Sequence, residues 1–187
     1  MVRFQRRFYI PLVLLIWGLF PTYFCYWVTG VPIYECFFGA VIFRYVFSLH
    51  YAWLVNSAAH LYGYQMYDKN LEPRENRFVI YTSLGEGYHN YHHAFPWDYS
   101  ASEHGWAKNF NPATLFIDIC AKLGLAYDLR KPDRNLVHKR IQRTGSMSER
   151  KIFFQISVFT DYIMGFFVSY ILLIITFGLR FIINGKI

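Results

Sequence analysis

Residues 8–34 read FYIPLVLLIWGLFPTYFCYWVTGVPIY, with no charged side chain from Phe8 to Tyr34. A stretch of about 20 apolar residues is enough to cross a bilayer as a helix, so this run decides the fold class. It does not read as a cleavable secretory signal. It is too long, holds Pro11 and Pro21, and lacks a small-residue cleavage pattern behind a compact apolar core. Membrane helices tolerate such prolines because neighbouring groups re-satisfy the freed backbone.

A second run, Cys36 to Tyr67, carries only Arg44, His50 and His60 as ionisable groups apart from tyrosines, and a third, Tyr162 to Leu179, is uncharged. Only 17% of the residues are charged, against about 25% in an ordinary soluble domain. The chain therefore reads as an all-α integral membrane protein. Residues 8–28 and 37–61 form a helical hairpin turning at Thr29-Gly30-Val31-Pro32. A cytoplasmic helical region follows, with room for an extra C-terminal transmembrane helix. Arg3, Arg6 and Arg7 before the first span place the N-terminus, and hence the region after Tyr62, on the cytoplasmic side. Cys25, Cys36 and Cys120 have no paired spacing and read as small apolar residues. Arg44, deep in the second span, reads either as functional or as a structural cation that snorkels or pairs with a neighbouring helix.

Between these spans lies Tyr88-His89-Asn90-Tyr91-His92-His93. The spacing i, i+3, i+4 aims His89, His92 and His93 toward one point from a single helical turn. Neutral imidazoles are strong ligands for iron, zinc or copper, and three in one turn are rarely needed for packing. Gly85 and Gly87 allow a bend just before them, and Pro96 ends the turn. At the end of the second span Asn56 and His60 are i, i+4, with Trp53 one turn earlier; His60 reads as a fourth ligand and Asn56 as one acting directly or through water. Lone His50, His104 and His138 read as structural. Spacing alone leaves open a zinc hydrolase site or iron chemistry on oxygen.

A short helix is expected near 75–84. Asn111-Pro112 reads as an N-cap and first-turn proline, opening an amphipathic helix with Leu115, Phe116, Ile119, Cys120 and Leu123 on one stripe. Residues 130–151 then hold eight basic and two acidic side chains. That stretch reads as a solvated flank, as contact with anionic lipid headgroups, or as a dock for an acidic protein or for phosphates. No nucleic-acid recognition module accompanies it.

Asn56-Ser57-Ala58-Ala59-His60, Tyr67-Asp68-Lys69-Asn70, Pro73-Arg74-Glu75-Asn76, Gly85 through His93, and Asp98 through Glu103 together resemble the membrane-bound fatty acyl-CoA desaturases of the stearoyl-CoA (Δ9) type. Gly124 through Asp128 and Arg140 through Gly145 extend the resemblance, which runs over about residues 3–145. It implies a di-iron centre that uses oxygen to insert a cis double bond into a fatty acyl-CoA. It further implies cytochrome b5 as electron donor, and an endoplasmic reticulum membrane with the histidine box facing the cytoplasm. On this resemblance His60, His89, His92 and His93 are iron ligands, Asn56 is one through water, and Trp53 lines the acyl tunnel.

The resemblance divides the chain into a transmembrane hairpin (1–64), a cytoplasmic loop and histidine-box region (65–110), an amphipathic helix and basic stretch (111–151), and a third transmembrane segment outside the family pattern (152–187). Two earlier histidine boxes of that family have no counterpart, since no histidine precedes His50. The chain therefore reads as the C-terminal part with the third box, expected to be inactive alone: a fragment, an incomplete gene model or a degenerate paralogue. A non-catalytic remnant that binds lipid or a full-length partner, and a related membrane di-iron hydroxylase, are the alternatives. Beyond Gly145 the apolar run reads either as unrelated translated sequence or as an added helix. That helix would put Asp161 at a membrane interface and Lys186 on the far side.

Overall fold

The computed structural model describes residues 2–183, and the side chains of 3–170. Helix α1 spans Arg3–Thr29 and α2 spans Ile33–Leu61, and both are long and apolar enough to cross a membrane. Five shorter helices follow: α3 (Arg77–Thr82), α4 (His89–Ala94), α5 (Pro112–Lys122), α6 (Arg134–Thr144) and α7 (Met147–Phe153). Then comes α8 (Val158–Ile183). Among the described residues the only extended pairings are two isolated bridges, Tyr64 with Glu75 and Glu75 with Tyr88. Lys186, expected on the far side of a third span, lies outside the described residues.

The chain divides into two compact units between His50 and Tyr51. In the first, α1 widens into π-helix over Val13–Leu19, immediately before Pro21. A proline offers no N–H to the carbonyl four residues earlier, here Trp17. Arg44 donates from Nη2 to that carbonyl at 2.9 Å, and its guanidinium lies 5.5 Å from the Trp17 ring. Arg44 is therefore paired with the neighbouring helix. Gly30, at φ +64°, closes the hairpin in the left-handed conformation that glycine adopts without steric cost.

The second unit is organised around a buried aromatic cluster that includes Tyr67, Tyr81, Tyr88, Tyr91, Phe95, Phe110 and Phe153. Asn76 caps α3 by accepting from Val79 N at 3.1 Å, and Asn111 caps α5 by accepting from Thr114 N at 3.0 Å. The second cap is the one the Asn-Pro pair predicts. Part of the basic stretch is tied inward rather than solvated. Arg140 pairs with Asp68 at 2.5 Å, Arg150 pairs with Glu103, and Ser146 N donates to Met66 O at 2.9 Å.

Helices α7 and α8 form a pair bent by 72° over Met147–Phe153 and Val158–Tyr170. Asp161, near the start of α8, is buried in protein, 3% exposed. Its carboxylate accepts from Arg77 Nη1 at 2.8 Å, from the Tyr81 hydroxyl at 2.7 Å and from Phe110 N at 2.6 Å. A charge leaves water at tolerable cost only with a counter-charge and filled lone pairs, and these three donors supply both. Gly165 reinforces the contact, because a Cβ there would strike the Phe110 ring. Ser169 Oγ donates to Tyr81 O at 2.5 Å.

Candidate metal centre

The loop from Tyr64 to Tyr88 folds back on itself before it delivers the histidines. Glu75 N donates to Tyr64 O at 2.8 Å, and Asn76 N donates to Gly87 O at 3.0 Å. Gly87 sits so close to the backbone of Asn76 and Ile80 that a Cβ would overlap it. Gly85, at φ +119°, turns the chain against Asn111. The glycine pair predicted to permit a bend is thus required by close approach.

The short helix α4 has an inner and an outer face. Asn90, Tyr91 and Ala94 are buried on the inner one, and His93 is exposed. Asn90 uses its whole amide. Its Oδ1 accepts from Tyr67 N at 2.8 Å and Asp68 N at 3.1 Å, while Nδ2 donates to Asp68 O and Pro73 O, each at 2.9 Å. The Tyr91 hydroxyl donates to Asp98 at 2.6 Å, and Asp98 also accepts from Ser100 N at 2.8 Å and Ser100 Oγ at 2.7 Å. The first turn of α4 leaves N–H groups without helical partners. Glu75, 1% exposed, answers them: its Oε1 accepts from Tyr91 N at 2.7 Å, and the Asn90 N–H also bonds to the carboxylate. Glu75 Oε2 is buried without a partner, and burial raises its carboxyl to about 8, against the two N–H bonds.

This frame brings three imidazoles together across the break after α2's main helical run. Ligand nitrogens of His60, His89 and His93 all lie within 4.8 Å of one another, and His60 Nε2 is 3.0 Å from His89 Nε2. Two nitrogens bound to one ion at right angles with bonds of about 2.1 Å stand about 3.0 Å apart, so the donor set fits a metal. Burial pushes His89 down to about 4, helped by its neighbours His93, His60 and His92; burial and the neighbouring rings also lower His93. Both are neutral at pH 7, the form that coordinates.

His92 borders the trio without belonging to its group of mutually close nitrogens. Its ring stacks 6.1 Å from that of His89, and its Nδ1 is buried without a partner. His60 joins His89 and His93 in the close group of ligand nitrogens, with the His92 ring 5.5 Å from that of His93. Asn56 and Trp53 are both exposed, before a break in the helix at Ser57 (φ −121°, ψ −73°). Sequence reasoning overlooked Glu75, Asn90 and Asp98 as supports. Asn90, a fully amide-bonding residue set between histidines, was the available signal; nothing in the polar loop marked Glu75 as buried.

The chain is 51% identical over 150 residues to acyl-CoA desaturase 3 of Mus musculus, covering 80% of this chain and 41% of the relative. It is 51% identical over 148 residues to stearoyl-CoA desaturase of Mesocricetus auratus (79% and 41%), and 50% identical over 145 to that of Homo sapiens (78% and 40%). The chain thus spans about two fifths of the length of these curated relatives. No family model matches it.

Proposed function

The chain belongs to the acyl-CoA desaturase family, and from that premise we propose that it carries one part of an oxygen-dependent desaturase site. His60, His89 and His93 hold one iron. His92, beside that trio, serves the other iron of a di-iron centre. Asn56 acts through a bound water, and Trp53 forms a wall of the acyl tunnel. The observation that carries this reading is the three ligand nitrogens within 4.8 Å of one another.

When bound, the iron pair supplies the oxygen chemistry that removes hydrogen from an unactivated methylene pair of a fatty acyl-CoA. The chain's own residues do the positioning. Glu75 and Asn90 fix the start of α4, so the imidazoles need little rearrangement to receive metal. Depressed basicity keeps His89 and His93 unprotonated at neutral pH. The two apolar helices anchor the site at a bilayer, where the substrate's acyl tail resides; we assign that bilayer to the endoplasmic reticulum, with the histidines facing the cytoplasm and cytochrome b5 delivering electrons. Three ligands to one ion and one to another do not complete two irons, so the chain alone is inactive.

Complementation tests this. Co-expressed in a desaturase-deficient host with the part of acyl-CoA desaturase 3 outside the matched segment, the chain is expected to restore unsaturated acyl chains. The chain alone, or paired but carrying His89→Ala, is expected not to. Double-bond formation that survives His89→Ala overturns the assignment.

A further inference from the structure

On the side of α4 marked by Tyr91, a cavity of about 600 Å³ opens among the 98–108 loop, α6 and α7. Its lining includes Lys108, Lys131, Arg134, His138, Glu103 and Arg150, and none of the four clustered histidines. We propose that this cavity is a second ligand site, which binds a phosphate-bearing molecule through Lys108, Lys131 and Arg134.

The argument is one of uncompensated charge. The two acids in the wall are already engaged. Glu103 is paired with Arg150 and accepts from the Tyr67 hydroxyl at 2.7 Å; Asp98 accepts from Tyr91 and Ser100. Among the described residues, no ion pair includes Lys108, Lys131 or Arg134. Lys131 is held over the Tyr99 ring, its Nζ 4.8 Å from the centroid, a contact that orients the cation without neutralising it. His104, in the same wall, registers the field. Its pKa is lowered by burial, and Arg150, Lys108 and Arg134 lower it further, while Glu103 opposes them.

The walls are also braced for a ligand. Val137 and Ile141 form a buried apolar floor on α6, and the Arg150–Glu103 pair ties α7 to the loop. Small-molecule sites occupy about 300–1,000 Å³, so the volume suits a nucleotide-sized molecule. A strongly hydrated dianion matches three cations that lack partners, and guanidinium and ammonium groups are the side chains that bind phosphate. The source is either a soluble organic phosphate or the headgroup of a phosphorylated lipid.

Binding measurements on the full, detergent-solubilised chain separate these. Pyrophosphate and ADP are titrated calorimetrically; phosphatidylcholine vesicles with and without phosphatidylinositol 4,5-bisphosphate are tested by co-flotation. Lys108→Gln/Arg134→Gln is the variant; both side chains are exposed and the double change leaves the core intact, checked by circular dichroism and Co²⁺ uptake at the histidines. Saturable binding of a soluble probe, weakened at least tenfold in the variant, supports the site with a soluble ligand. Flotation that requires the phosphorylated lipid and is lost in the variant supports it with a lipid source. No binding of either kind, or equal binding by the variant, overturns it.

Discussion

Glu75 makes the fold of the histidine-bearing loop pH-dependent in a direction that can be calculated. Its carboxyl is raised from 4.5 to about 8, chiefly by burial. In the unfolded chain the group ionises near its ordinary value, while the folded chain keeps it protonated until pH approaches 8. The unfolded state therefore loses a proton first, and stability falls as pH rises through that window. At 1.36 kcal/mol per unit, a gap of about 3.5 units amounts to about 5 kcal/mol, an order-of-magnitude ceiling. Glu75→Gln is neutral at every pH and keeps Oε1 as acceptor for the Tyr91 N–H. The stability of the wild type relative to Glu75→Gln should therefore be greatest below pH 4.5 and decline by several kcal/mol by pH 8. Reversible unfolding of both proteins in mixed detergent micelles at half-unit pH steps measures it. Titrating histidines are common to both and cancel in the difference. Glu75→Ala should instead be destabilised throughout, by about 1–3 kcal/mol for each N–H left without an acceptor. A wild-type–Gln difference that is flat, or that grows with pH, refutes the claim that this carboxyl is buried and neutral.

Gly87→Ala should place a methyl group against the backbone of Ile80 and Asn76; with backbone unable to yield, it is expected to cost at least about 2 kcal/mol and to abolish Co²⁺ binding, read from d–d absorption. Asp161→Ala strips the counter-charge from Arg77 and the acceptor from Tyr81 and Phe110. A loss of about 2–3 kcal/mol is expected, discounted because Arg77 keeps some solvent contact, and melting in detergent checks it. For His89 the sign is opposite to that of Glu75. A folded value depressed to about 4 means stability is lost as pH falls from about 6.5 toward 4, and His89→Asn should flatten that acid limb of the melting curve.

What the sequence disclosed follows from which forces are local. Uncharged runs of bilayer length and the Asn111-Pro112 cap concern a residue and its helical neighbours, and each could be read from spacing. The imidazole trio was half legible. His89 and His93 share a turn, and His60 emerges at the end of an apolar helix. Which rings join His60 depends on the orientation of a helix of one and a half turns, set where Glu75, Tyr67 and Asp68, all 15 or more residues away, bond to Tyr91 and Asn90. Long-range burial of polar groups leaves no periodic trace. Glu75 sits in a loop whose composition reads as solvated, and Asp161 at the head of an apolar helix reads as a membrane edge. Both are buried because donors from distant segments converge on them. The same logic explains why two buried acids, rather than the aromatic cluster around them, set the pH conditions under which this unit holds its shape. Apolar packing among Tyr81, Tyr88, Phe110 and Phe153 is indifferent to pH and tolerant of small shifts. Glu75 accepts from two N–H groups of α4, and Asp161 on α8 accepts from two side chains of α3 and from Phe110 N, so a change in the charge state of Glu75 loosens α4 and one in that of Asp161 loosens α8.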